Sequence, residues 1–108
     1  MRVLFICGKA RARSPTAAQI FADRPGIQTD FGGLSRDADD AVSADQISWA
    51  DLICVMETRH RERLADQFGR LLTGRRIVVL GVRDRFSFMD PDLIVELEEK
   101  AGPHMRRR

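Results

Sequence analysis

The stretch "CGKARARSP", Cys7 to Pro15, contains residue types that can attack phosphorus and hold its oxygens. It follows an apolar run, Val3 to Ile6, and precedes a segment with a helix-start signature. A strand–loop–helix turn of this kind points backbone N–H groups inward, and the following helix adds its positive end. Together they make an anion cradle. A cysteine at the base of such a cradle is favoured as the thiolate, the nucleophilic form. The Ser14 hydroxyl can donate to that sulfur in the same direction. Arg13 stands six positions after Cys7, close enough for the loop to curl once around a tetrahedral oxyanion. Its planar fork can hold two oxygens of a phosphate or arsenate at once. A sulfur below the phosphorus and a fork on the equatorial oxygens describe phosphoryl transfer through a cysteinyl-phosphate. Arg11 either lines the mouth or points to solvent.

These side chains need a scaffold, and the chain supplies strands alternating with helices. Arg2 to Ile6 is a β-branched and aromatic run long enough for a buried strand. Ser14 to Arg24 is expected as a helix with Ser14 as N-cap and Pro15 at its first position, ended by Pro25 and Gly26. Ile27 to Phe31 alternates like a strand, and Gly32-Gly33 is expected to break it. Ser43 to Ala50 reads as a short helix capped by Ser43, and Asp51 to Met56 as a further buried strand. Thr58 to Leu72 has helical spacing at Leu64, Phe68 and Leu71, with Thr58 as cap. Arg76 to Val82 is the fourth strand. Asp90 to Gly102 closes the series, with Asp90 as cap, Pro91 in the first turn and Gly102 past the end.

This order predicts an α/β fold: three layers, α/β/α, around a central four-stranded parallel sheet covered on both faces. Ligands of such sheets bind beyond the carboxyl ends of the strands. Loops leave there after Ile6, Met56 and Val82, carrying Cys7, Glu57 and Asp84.

Composition narrows the rest. A chain of 108 residues, 44% hydrophobic and 31% charged, is expected to form one domain over residues 1–108. No apolar run approaches the ~18 residues of a membrane span, and the start reads as the first strand of the mature domain rather than a signal peptide. Two cysteines without a Cys-x-x-Cys pair argue against a disulfide scaffold or zinc site, so the expected address is the cytoplasm. The net charge of +2 comes from 16 arginines and 2 lysines against 16 acids, a balance that suits an anionic substrate. The tail from Met105 to Arg108 is expected to be frayed. No aromatic or basic stripe accompanies the arginines, so nucleic acid enters only as an end-phosphate substrate. Cys54 reads as a small buried hydrophobe, His60 as an exposed residue of a charged helix, and Trp49 as core or core edge.

The Cys-x5-Arg-Ser pattern, placed between a strand and a helix, resembles the low-molecular-weight protein tyrosine phosphatase family, in particular its compact bacterial branch. Ser48 to His60, "SWADLICVMETRH", looks like that family's middle segment, and Phe31 to Ser35, "FGGLS", resembles its Ser-Ala-Gly stretch. The resemblance implies a phosphatase I-like fold without cofactor or metal. It makes Cys7 the nucleophile, Arg13 the phosphate binder and Ser14 the stabiliser of the thiolate. Gly8, Lys9, Ala10, Arg11 and Ala12 then form the remainder of the substrate-binding loop. The usual loop is Cys-x-Gly-Asn-x-Cys-Arg-Ser. Here Lys9 takes the glycine place, Ala10 replaces the bracing asparagine and Ala12 replaces the second cysteine. The chain has no tyrosine, so the family's Asp-Pro-Tyr wall is absent.

The leaving oxygen needs a proton, and two aspartates compete to supply it. Asp90 has the Asp-Pro dipeptide, but helix capping explains that dipeptide sufficiently. Asp84 lies two residues past the last expected strand. Aligning the final helix with the family's places Asp84 on the acid and Phe86 on an aromatic wall, and Asp84 is the preferred assignment. Glu57 either holds loop amides or Arg13, or is a solvated turn residue. The leading function is hydrolysis of a phosphate ester: phosphotyrosine on a protein, or a small or nucleotide phosphate, cyclic ones included. A phosphocysteine carrier like the IIB components of sugar phosphotransferase systems is the alternative. Arsenate reduction ranks lower, because it needs a relay of further thiols.

Overall fold

The computed structural model describes residues 1–105. Its four strands, β1 (Arg2–Cys7), β2 (Gln28–Gly33), β3 (Leu52–Val55) and β4 (Arg76–Val79), form one sheet in the order β2-β1-β3-β4. Every pairing is parallel. Side chains alternate across a strand, and here both faces are apolar. Val3, Phe5, Cys7, Leu52, Cys54 and Met56 enter one core cluster. Leu4, Ile6, Ile53 and Val55 enter the other. Helices α1 (Arg13–Phe21) and α4 (Pro91–Ala101) cover the first face through Ala17, Phe21, Leu93 and Leu97. Helices α2 (Ala44–Trp49) and α3 (Thr58–Phe68) cover the second through Ile47 and Leu64. The three-layer α/β/α expectation holds.

The strand order also fixes where a ligand can sit. The chain leaves β1 toward β2, then crosses back over β1 to β3, so the two connections diverge above the β1–β3 pair. That divergence is the switch point at which open parallel sheets form a crevice. Cys7 ends β1 on one side of it, and Glu57 follows β3 on the other.

Helix ends written in local sequence form as expected. Ser43 accepts from the Gln46 amide at 3.1 Å while its own amide donates to Gln46 Oε1 at 3.0 Å, a reciprocal capping box. Asp90 accepts from the Asp92 amide at 2.9 Å with Pro91 at the first helical position.

Several boundaries differ from the sequence reading. Helix α1 starts at Arg13 after Ala12 with no side-chain cap, because the Ser14 hydroxyl is turned to Cys7. Pro15 is therefore in the third position, and the helix ends at Phe21. Strand β2 runs on through Gly32 and Gly33 instead of breaking there, paired with Ile6 and Cys7. Glu57, not Thr58, occupies the N-cap of α3, which gives way at Phe68 to a 3₁₀ turn, Gly69–Leu72. Strand β4 closes at Val79, though Leu80 and Val82 still donate to the Val55 and Met56 carbonyls. Finally, a 3₁₀ turn, Gly102–Met105, folds Met105 into the core, so it is not frayed; residues 106–108 of that expected tail lie outside the described residues.

Candidate active site

Cys7 is 3% exposed, with its sulfur 3.1 Å from the Ser14 hydroxyl. Between them, Gly8 to Ala12 form a tight loop whose carbonyls are taken from one side. The Leu34, Ser35 and Asp39 amides donate to the carbonyls of Cys7, Gly8 and Lys9 at 3.1, 2.9 and 3.1 Å. Among the described residues, no amide from Gly8 to Ala12 has a protein acceptor. Ala10 supports the curl with a left-handed φ of 60°, a conformation alanine rarely adopts. The loop presses so closely on β2 that a Cβ on Gly33 would lie 2.5 Å from the Gly8 carbonyl oxygen. Gly33 is thus required for contact.

Arg13, also 3% exposed, enters this loop from below. Its Nη1 donates to Glu57 Oε2 at 2.6 Å and to the Val82 carbonyl at 2.9 Å. Its Nη2 lies 3.8 Å from Asp84 Oδ2. Of the two readings of Glu57, the ion pair with Arg13 is the one formed, and Arg59 Nη2 adds a second bond at 2.9 Å. Burial pushes the Glu57 carboxyl up, but the hydrogen bonds from Arg13 and Arg59 outweigh it and hold the group below its ordinary value.

A cleft of about 250 Å³ opens over the sulfur, lined by Cys7, Lys9, Arg11, Ala12, Arg13, Asp84 and Phe86. Lys9 and Arg11 stand at its rim, exposed, paired with Asp37 at 3.2 Å and Asp39 at 3.4 Å. Arg11 therefore lines the mouth and meets solvent. Phe86 packs partly on the core, and the Arg85 guanidinium lies 4.7 Å over its ring. Gly8 and Ala10 shape the loop without lining the cleft. Asp90 is spent on capping α4. A wider hollow of about 370 Å³, between α1 and the edge of β2 at Phe31 and Phe88, has no cysteine and no basic side chain in its lining.

His60 departs from expectation: it is 1% exposed, not a surface residue. It lies four residues before Leu64, hence on the same buried face of α3. Its Nδ1 accepts from the Glu57 amide at 3.1 Å, and its Nε2 has no partner among the described residues. Burial, helped by Arg13 and Arg59, pushes the imidazole down to about 4. Cys54 and Trp49 behave as read. Cys54 is fully buried and pushed up to about 12 by desolvation, and Trp49 packs at the edge of the second cluster.

No protein-family model matches the sequence, and no curated protein sequence matches it. Solved structures do match in shape. A mutant of YwlE arginine phosphatase carrying a phosphorylated active-site serine superposes with a TM-score of 0.71 at 18% identity, covering 100% of this chain and 98% of that one. The fold is that of the low-molecular-weight phosphatases. Wzb from Vibrio vulnificus, in complex with benzylphosphonate, gives a TM-score of 0.75 at 19% identity and 95% coverage of both chains. The tyrosine phosphatase Wzb from Escherichia coli K30, in complex with phosphate, gives 0.75 at 17%, covering 95% of this chain and 94% of that one.

Sequence reasoning singled out Cys7, Arg13, Ser14, Asp84 and the rim residues Lys9 and Arg11, and the structure brings these side chains together. That reasoning missed Gly33 as the floor of the loop and His60 as a buried neighbour of Glu57. Two glycines closing an edge strand were the available signal for the first, and the four-residue spacing to Leu64 for the second.

Proposed function

We propose that this protein is a cysteine-dependent phosphatase that hydrolyses a phosphate monoester through a cysteinyl-phosphate. The observation that supports it most is the convergence of Cys7, the Arg13 fork and Asp84 on one small cleft at the sheet's switch point. In this reading the phosphate sits on the amides of Gly8 to Ala12, with Lys9 and Arg11 at the rim and Arg13 clamping its equatorial oxygens. The Cys7 thiolate, held by Ser14, attacks phosphorus in line. As the S–P bond forms and the P–O bond breaks, the leaving oxygen takes a proton from Asp84. Water then attacks the phosphorus of the cysteinyl-phosphate: a P–O bond forms, the P–S bond breaks to return the Cys7 thiolate, and the water's proton goes to Asp84 as phosphate leaves. Each bond and proton is accounted for without a metal or cofactor.

Glu57 gives Arg13 a fixed pose by holding its Nη1 at 2.6 Å. Phe86 supplies one apolar wall, and charged Lys9 and Arg11 face the same opening. The mouth thus suits an aryl or small phosphomonoester, a class that includes phosphotyrosine and nucleotide phosphates. Among the structural neighbours are enzymes named as tyrosine and arginine phosphatases, so phosphoarginine belongs in the same panel. A reduced thiol at the centre of the chemistry suits a reducing compartment such as the cytoplasm. No helix among the described residues is long and apolar enough to cross a membrane.

The phosphocysteine-carrier reading is weaker, because a buried arginine fork and an aspartate beside the sulfur promote turnover rather than retention. Arsenate reduction is weaker still, since Cys54, the one other thiol, is enclosed in β3. The test is hydrolysis by the reduced protein of phenyl phosphate, a phosphotyrosine peptide, phosphoarginine and nucleotide monophosphates, with Cys7→Ser and orthovanadate as controls. Vanadate-sensitive release of phosphate, lost in Cys7→Ser, is expected. Accumulation of phosphocysteine without release, or no reaction with any substrate, overturns the proposal.

A further inference from the structure

The loop between Val82 and Asp90 carries both Asp84 and Phe86, and its fixation decides where those side chains stand. At its start the Val82 amide donates to the Met56 carbonyl at 2.8 Å. In its middle Phe86 leans on the core. At its end the Met89 amide donates to Thr16 Oγ1 at 2.9 Å. Among the described residues this is the one hydrogen bond between the backbone of residues 83–89 and α1.

Two facts make that bond more than incidental. Met89 has φ 60°, a left-handed conformation that a long side chain adopts only when its surroundings impose it. Thr16 is fully buried in the first turn and a half of α1, where a threonine hydroxyl ordinarily bonds back to its own helix. Here it is turned outward as an acceptor for a strained amide of another segment. The same stretch of α1 holds Arg13 and Ser14. The helix that clamps the phosphate therefore also sets the distance to the loop that bears the acid.

We infer that Thr16 is a positioning residue for the proton donor: through the Met89 amide it registers the Asp84 loop to the phosphate-binding helix. This inference rests on the phosphatase reading above. In the first step the sulfur–phosphorus bond forms, the phosphorus–oxygen bond breaks and the departing oxygen takes the Asp84 proton. A basic phenolate needs that proton at the transition state, whereas a dinitrophenolate departs without it. Loss of the Thr16 anchor should therefore hurt only the reaction that needs the proton.

The experiment compares kcat/KM of wild type, Thr16→Val and Thr16→Ser on phenyl phosphate and on 2,4-dinitrophenyl phosphate. Valine keeps the volume and removes the acceptor, while serine keeps the acceptor. Thr16→Val is expected to lose about tenfold on the phenyl ester, part of the range a general acid contributes. On the dinitrophenyl ester it should stay within about twofold of wild type. Thr16→Ser should match wild type on both, and amide exchange at Met89 should accelerate in Thr16→Val alone. Thr16→Ala replaces valine under the same readout if valine does not fold. Equal losses on both esters, no loss on the phenyl ester, or failure of serine to restore it overturns the inference. A wild type inactive on both esters instead overturns the phosphatase reading itself.

Discussion

His60 is an imidazole held neutral by its surroundings: it is buried, and Arg13, Arg59 and Arg63 oppose its charge more than Glu57 favours it. Its folded-state value of about 4 lies below the ordinary 6.5. Between those values the unfolded chain binds a proton that the folded chain does not, so stability falls as pH drops from 6.5 toward 4. The gap amounts to on the order of 3 kcal/mol, at 1.36 kcal/mol per unit. Urea unfolding across this window should show the slope in wild type and a flatter one in His60→Gln; equal slopes would remove the assignment. Glu57 acts at the acid end. Its carboxyl is held below its ordinary value, so its pairing with Arg13 contributes fully above the ordinary carboxylate range and is lost as pH falls through the lowered value. Two neighbouring groups thus set separate acid limits for one site.

At the scale of elements, the loop after β4 and the start of α4 divide two tasks between two aspartates. Asp90 caps α4 through the Asp92 amide, and Asp84 faces Cys7 across the cleft. Asp84→Asn is expected to lower kcat/KM on phenyl phosphate by about 10²-fold or more, the contribution of a general acid. Asp90→Ala should leave that rate intact and lower stability by about 1 kcal/mol, the worth of an N-cap. A reversed pattern in parallel kinetics and denaturation would exchange the two assignments. The difference between these elements also explains what could be read from sequence. The caps of α2 and α4 are satisfied within a few residues, so Ser43 and Asp90 were legible. The first turn of α1 was not, because the Ser14 hydroxyl serves a sulfur seven positions earlier. Gly32 and Gly33 looked like a strand break, since only the approach of Val42 to Gly32 and of the Cys7–Ala12 loop to Gly33 shows why β2 needs them.

At the scale of the whole molecule, Arg13 joins three separate parts of the chain: α1, Glu57 after β3, and the Val82 carbonyl after β4. The apolar strand runs made the layers legible, and parallel sheets localise ligands at one edge. The ties across that edge depend on side chains far apart in sequence, so they emerged only in three dimensions. An oxyanion bound there stabilises the folded state by about 2.7 kcal/mol at a hundred times its Kd. For a domain of this size that is a rise in Tm of roughly 10 °C or more. Orthovanadate should produce it in wild type but not in Arg13→Met, as followed by thermal melts at fixed protein concentration. The pairing of β1 with β3 has a different consequence. Cys54 lies opposite Phe5, two residues short of Cys7, which by strand geometry separates the two cysteine Cα atoms by about 8 Å. A disulfide does not span that distance, and the chain has no third thiol. A sulfenic acid formed on Cys7 by peroxide has no second thiol of the chain in reach with which to close a disulfide. Oxidative stress therefore acts on this protein as a fuse rather than a switch: recovery falls to an outside thiol or to new synthesis.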